Sequence, residues 1–205
     1  GNACACIKLV WASKWNERAY LSRKTNRMPH EGLFMAVLIQ QVIKADYAFV
    51  IHTANPFSGD KEELYAEVVP GLGETLVSNY PGRALGFTTG KVAPEPKLLS
   101  FLSKNVGIFG ESIIFRSDSN GEDLEGYAGA GLYDSVILEP TRKVNLEYTK
   151  EPLVLNENFR NKLLVNISKI GIEVENIYKG VPQDIEGVFA AGQYYVVQTR
   201  RQVGH

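Results

Sequence analysis

Residues 112–131 carry an apolar run followed by Arg116, small hydroxyl residues and four glycines, a combination able to hold phosphate. Glycine lets backbone N–H groups approach an anion with no side chain in the way. The Arg116 guanidinium presents a planar fork of donors that matches phosphate oxygens. Asp118, Glu122, Asp123 and Glu125 in the same stretch repel a bare phosphate, so a cation or the arginine must offset them. Composition alone fits two readings: half of a nucleotide phosphate site, or a solvated acidic turn in which Arg116 pairs with a neighbouring carboxylate.

A second group of chemistry-bearing residues lies near the C-terminus. Residues 184–189 and 193–200 read as two strands joined by Ala190-Ala191-Gly192, which suggests a hairpin with a three-residue loop. That register sets Phe189 opposite Gln193, Glu186 opposite Val196 and Asp184 opposite Gln198. Period-2 alternation then gathers Asp184, Glu186, Gln198 and Arg200 on one face, with Ile185, Phe189, Tyr195, Val197 and Thr199 on the core face. Glu186 and Gln198 become diagonal neighbours, roughly 7–8 Å apart at the backbone, close enough for one ion to bridge. A carboxylate and an amide carbonyl are hard oxygen ligands of the kind Mg²⁺ accepts beside phosphates. A two-residue turn would shift the register by one and scatter the cluster, leaving an ordinary edge hairpin with a polar outer face.

The segments 183–187 and 195–200 resemble the end of the nucleotide-binding domain shared by pyruvate phosphate dikinases, phosphoenolpyruvate synthases and plant α-glucan water dikinases. Residues 10–20 (VWASKWNERAY), 45–53 (ADYAFVIHT), 65–77 (YAEVVPGLGETLV) and 115–131 resemble the glucan branch in particular. The resemblance runs from about residue 7 to 203. It implies an α+β, ATP-grasp-like nucleotide-binding domain over residues 1–205, with part of its upstream lobe missing, that takes ATP and Mg²⁺. It further implies that ATP phosphorylates a histidine on a separate swivelling domain of the same polypeptide, and that this histidine passes phosphate to glucosyl units of an α-glucan bound through other domains. Carried over by motif, Glu186 and Gln198 are metal ligands, Arg116 and Arg200 are phosphate contacts with catalytic roles, and Asp184 joins the nucleotide site. Gln40, Gln41 and Val42 resemble the hinge whose backbone bonds adenine, and Gly129 and Ala130 the loop over the phosphates. Plastid localisation is implied by the same branch. The sequence departs from the family in three places. The Arg-Ser loop follows the Gly-Leu-Gly-Glu segment, an order found in the glucan branch only. Arg201 replaces the proline that usually closes the last motif. The phosphate-binding lysine of the small lobe has no counterpart in this sequence. The other readings are a pyruvate- or enolpyruvate-type dikinase domain and a non-catalytic nucleotide-binding module.

Composition fits these expectations. A chain of 205 residues can bury a proper core. The net charge of −1 gives no electrostatic reason to bind nucleic acid or an anionic membrane. No apolar run reaches membrane-spanning length, and Cys4 and Cys6, the two cysteines, read as reduced thiols of a soluble intracellular protein.

These residues need positioning elements. Ile7, Val10, Trp11, Trp15 and Ala19 recur at helical spacing, predicting one amphipathic helix over residues 6–20 with both tryptophans in the core. Residues 22–32 read as a loop. Residues 33–43 and 47–53 read as strands of one hairpin, with further strands over 63–69 and 84–88. The turn at 71–74 either caps a short helix with Glu74 or opens that helix onto a ligand. Residues 90–110, rich in Pro and Ser, read as a mobile surface excursion, and 141–156 as irregular. Phe159, Leu163, Ile167, Ile170, Val174 and Ile177 mark a long helix capped by Asn156 and ended by Gly180 and Pro182. Together these predict a mostly antiparallel sheet with two flanking helices.

Overall fold

The computed structural model describes residues 2–77, 80–121, 123–124, 127–128 and 131–202. In chain order the elements are α1 (Ala3–Ala12), α2 (Glu17–Thr25), β1 (Met35–Val42), β2 (Tyr47–His52), β3 (Glu63–Pro70), α3 (Glu74–Val77), β4 (Leu85–Gly90), β5 (Lys97–Ser100), β6 (Val106–Phe109), β7 (Ser112–Ser119), β8 (Asp123–Leu124), β9 (Tyr127–Ala128), β10 (Val136–Ile137), β11 (Arg142–Asn145), α4 (Pro152–Leu155), α5 (Glu157–Ile177), β12 (Gln183–Ala190) and β13 (Gln193–Arg201). They form two compact units. The first comprises Gly1–Val42 and Glu111–Thr141, the second Ile43–Gly110 and Arg142–His205. The strand pairings are antiparallel apart from an isolated parallel bridge between Gly71 and Ile108, so the class is the expected α+β.

In the first unit, β1, β7 and β10 form a three-stranded sheet in the order β1-β7-β10. One face packs on α1, where Cys6, Val10 and Phe115 make a buried cluster joined by Ile7, Met35 and Val37. The predicted single helix is broken: α1 ends in a 3₁₀ turn, and Asn16 adopts an extended ψ of 157° and caps α2 through its side chain. Asn as N-cap accepts from an otherwise unsatisfied N–H, which favours a restart over continuation. Both tryptophans face outward. Trp11 and Trp15 are 51% and 56% exposed, contrary to the core role expected of them, while Val10 and Ala19 are buried.

The second unit is built on a six-stranded sheet in the order β13-β12-β2-β3-β4-β5. Here β1 and β2 do not form the expected hairpin. The first pairs with β7 and the second with β12 and β3. Residues 90–110 likewise contain β5, paired with β4, and β6, paired with β11. The apolar alternation of each four-residue strand is too short to stand out beside the prolines.

Helix α5 covers one face of this sheet. Asn156 accepts from the Phe159 N–H at 3.0 Å, as its type predicts. Gly171 lets the helix approach, since a Cβ there would stand 3.0 Å from Ile51 and 3.6 Å from Leu64. Lys91 Nζ donates to both carboxylate oxygens of Glu175 at 2.7 and 2.9 Å, tying the end of β4 to α5. Gly187 sits opposite Phe49 on this face, and a Cβ there would fall 2.3 Å from the phenyl ring and 2.8 Å from the Tyr195 carbonyl. Overpacking of this kind typically costs about 1–3 kcal/mol. Gly187→Ala is therefore expected to lower the urea midpoint with no change in the slope, a measurement that isolates stability from compactness.

Candidate functional site

The C-terminal hairpin is built differently from the simple count yet reaches a similar arrangement. Ala190 pairs with Gln193, so the loop has two residues, not three. Ala191 and Gly192 both have positive φ, 49° and 82°, the geometry that matches the twist of a tight hairpin. Alone, this turn would move Glu186 opposite Val197. A bulge intervenes between Glu186 and Gly187, with Gly187 opposite Val196 and Glu186 opposite Gln198. The extra residue restores the parity that the turn removed. Glu186 and Gln198 are thus direct cross-strand partners, whose Cβ atoms stand about 4.5–5.5 Å apart. Asp184 faces Arg200 in the same way. The two-residue turn also changes the core face: Tyr194, not Tyr195, pairs with Phe189, packs on it with ring centroids 4.9 Å apart, and accepts from Asn166 of α5.

The face opposite α5 is polar. Across β13, β12, β2, β3 and β4, one row reads Arg200, Asp184, His52, Tyr65 and Thr88. The next reads Gln198, Glu186, Val50, Glu67 and Gly86. Glu186 is exposed, and its carboxylate has no hydrogen bond or ion pair with the described residues. Asp184 is engaged on both sides: Oδ1 lies 2.7 Å from His52 Nδ1 and Oδ2 lies 3.5 Å from Arg200 Nε. It thus bridges His52 and Arg200 across the face. Tyr65 donates to Glu67 at 2.8 Å, and burial followed by the Glu67 carboxylate raises the phenol's pKa well above the ordinary range. The inward alternation of residues 47–52 leaves His52 as the polar member of its strand. Its meeting with Asp184 follows from the pairing of β2 with β12, which no local signal shows.

In the first unit, Arg116 lies inside β7, which continues through Ser119, and not in a loop after a strand. It pairs with Leu38, on the face turned away from Phe115 and α1. Its Nη1 donates to Gln40 Oε1 at 3.4 Å, a diagonal cross-strand contact. Gln40 and Gln41 line a cavity of about 440 Å³ with Ile39, Glu111, Ser112 and Ile113. Val42 closes β1, and the chain passes from the first unit to the second between Val42 and Ile43. Asn120 bonds Gly32 O at 2.9 Å and Phe34 N at 2.9 Å, tying the end of β7 to the segment before β1. Gly129 and Ala130 lie outside the described residues.

A carboxylate facing an amide fits Mg²⁺, which keeps several waters and takes one or two protein carboxylates. Among the described residues no group of three or more His, Cys, Asp and Glu forms a metal cluster of its own.

Comparison with known proteins finds similarity to a nucleotide-binding family and to dikinases. Residues 1–82 match the family described as Pyruvate phosphate dikinase, AMP/ATP-binding domain. Over 203 residues, 98% of its length, it is 59% identical to the chloroplastic alpha-glucan water dikinase of Solanum tuberosum. It is 57% identical over 199 residues to alpha-glucan water dikinase 2 of Arabidopsis thaliana. The phosphoenolpyruvate synthase of Pyrococcus furiosus is 24% identical over 200 residues. The chain spans 14%, 16% and 21% of these three proteins, respectively. The AMP/ATP-binding family and the bias toward water dikinases agree with the resemblance read from the motifs. No helix among the described residues is long and apolar enough to cross a membrane.

Proposed function

We propose that this chain is the ATP·Mg-binding domain, ATP-grasp-like in fold, of a plastidial α-glucan water dikinase, within a longer polypeptide. The observation that carries this reading is the pairing of Glu186 with Gln198 beside Arg200, in a chain 59% identical to a water dikinase along its length. A phosphoenolpyruvate synthase-type role is the weaker alternative, because identity falls to 24% there. Glu186 and Gln198 would hold the metal ion, which would supply charge neutralisation at the phosphate oxygens. Arg200, aimed by Asp184, donates to a phosphate, as does Arg116. Gln40, Gln41 and Val42 offer backbone groups to the adenine, and Gly129 and Ala130 cover the phosphates. The acceptor is a histidine on another domain of the same polypeptide, which then phosphorylates glucosyl units.

Positioning and electrostatics do most of the work in such a site, so its arginines should matter to turnover more than to folding. Arg116 stands on the half-buried outer face of β7, away from the α1 core. Arg116→Ala in the full-length protein is expected to lower kcat/KM for ATP by about 10- to 150-fold, the worth of one charge-assisted hydrogen bond. The melting midpoint should fall by about 2 °C or less. Wild-type turnover with a midpoint several degrees lower would make Arg116 structural. The overall reading is tested by incubating full-length protein with Mg²⁺ and ATP labelled at the β-phosphate. Acid-labile label on the protein that is chased onto α-glucan supports it, and label chased onto pyruvate instead sinks it.

A further inference from the structure

On the polar face of the second unit's sheet lies a cavity of about 410 Å³ that the nucleotide reading does not use. Tyr65 and Glu67 of β3 and Ser100 of β5 form one side, Gly82 and Arg83 another, and Lys104 and Phe57 also reach it. The wall is rigidly made. The Arg83 carbonyl accepts from the backbone N–H of Ser103 at 2.9 Å and of Lys104 at 3.2 Å, and Arg83 N–H donates to Ser103 Oγ at 2.8 Å. Gly82 has φ +93°, and any Cβ there would come within 2.0 Å of the Ser103 carbonyl, so only glycine closes this wall.

Lys104 is the informative residue. It is 8% exposed, and its Nζ donates to the Tyr80 carbonyl at 2.7 Å. An ammonium carries three donors, and this bond uses one. Among the described residues no carboxylate stands within ion-pair distance of it. A buried cation without a counter-charge is costly unless something supplies the charge. The neighbouring Arg83 side chain is exposed and also makes no ion pair with the described residues. Two cationic side chains that line one cavity call for an anion. The other groups say what the anion is attached to. Phe57 and Tyr65 meet edge to face at 5.0 Å and give the cavity aromatic surface. The Glu67 carboxylate, held by the Tyr65 hydroxyl, can accept from ligand hydroxyls but repels a free dianion.

We propose that this cavity binds a phosphate monoester of a sugar, with the phosphate on Lys104 and Arg83 and ring hydroxyls on Glu67. The phosphate half stands on the cavity alone. The sugar half deepens the function proposed above and rests on it, since a glucosyl phosphate is the product class of that reaction. The test is equilibrium dialysis of the full-length protein against labelled glucose 6-phosphate, orthophosphate or glucose, without nucleotide or Mg²⁺, so that failure of the ATP reading cannot cause failure here. Saturable glucose 6-phosphate binding is expected, with orthophosphate weaker and glucose undetectable. Arg83→Gln, at an exposed side chain, should weaken it about tenfold, and Lys104→Met at least as much. If Lys104→Met does not fold, Arg83→Gln decides alone. No saturable binding of any phosphate, or binding that neither variant changes, overturns the site. Orthophosphate binding as tightly as glucose 6-phosphate overturns the sugar half and assigns the cavity to the free anion.

Discussion

Glu186→Gln in the full-length protein is expected to cut ATP-dependent phosphorylation by at least about 100-fold, since even partners outside the metal's own ligand set are worth about 10- to 100-fold. The substitution keeps the side chain's shape and removes its charge, so only a role that needs the charge is lost. Folding gives no reason for the carboxylate: Glu186 is exposed on a polar sheet face, and its carboxylate makes no hydrogen bond or ion pair with a described residue. A surface change of this kind lies within about 0.5 kcal/mol, so the melting midpoint should move by about 2 °C or less. A metal role has a second signature. A weakened ligand set needs more free metal for the same occupancy, so activity should be partly restored at high Mg²⁺ in Glu186→Gln and unaffected by added Mg²⁺ in Arg116→Ala. Wild-type turnover with an unchanged Mg²⁺ requirement would remove Glu186 from the metal site and leave the hairpin an ordinary polar edge.

The hairpin also shows where sequence reasoning reaches and where it stops. Alternation alone places Asp184, Glu186, Gln198 and Arg200 on one face, and they do share one. The route there combines a two-residue turn with a compensating bulge, and neither is visible locally. Ala191 at φ 49° is a conformation few would assign to alanine, and a bulge is one extra residue with no fixed composition. Two parity errors cancelled. Long-period signals fared well: α5 follows from the spacing of its apolar residues, Asn156 caps it as expected, and Gly180 lies just past its end with φ 77°. Non-local choices were not legible. The short link at residues 43–46 looks like a hairpin turn, yet β1 finds its partner in β7, seventy or more residues away, and the link joins two units. The tryptophans of residues 10–20 keep helical spacing, but Asn16 resets the helix between them and Ala19, so periodicity counted across the break points them inward when they are exposed. Arg116 was expected in a loop and lies in a strand, because the polar run from Ser117 to Ser119 continues a strand whose outer face tolerates polar groups.

The 205-residue chain incubated by itself with Mg²⁺ and ATP labelled at the β-phosphate is expected to acquire no acid-labile label and to phosphorylate no glucan. The argument turns on its histidines. His30 Nδ1 accepts from Arg23 Nε at 3.0 Å, which places the ring proton on Nε2 and leaves neither nitrogen a lone pair for attack. The ring also lies flat on Tyr20, 5.0 Å between centroids, which holds it in that state. His52 is fixed in β2 between two paired strands, with Nδ1 2.7 Å from Asp184 and its ring stacked on Tyr65. It cannot leave its strand to take an in-line position and then carry phosphate to a glucan, and transfer depends on reacting atoms brought to about 3–3.5 Å in alignment. His205 lies outside the described residues and in no phosphohistidine motif. ATP should bind the isolated chain weakly as well. The phosphate-binding lysine implied by the family resemblance has no counterpart in this sequence, and one charge-assisted contact is worth about 1.5–3 kcal/mol, or about 10- to 150-fold in affinity. Supplying the remaining polypeptide in trans should restore labelling on the added part. Stoichiometric acid-labile label on the isolated chain would show that it contains its own acceptor. Loss of that label in His52→Gln would identify the residue, and the separate-domain reading would be wrong.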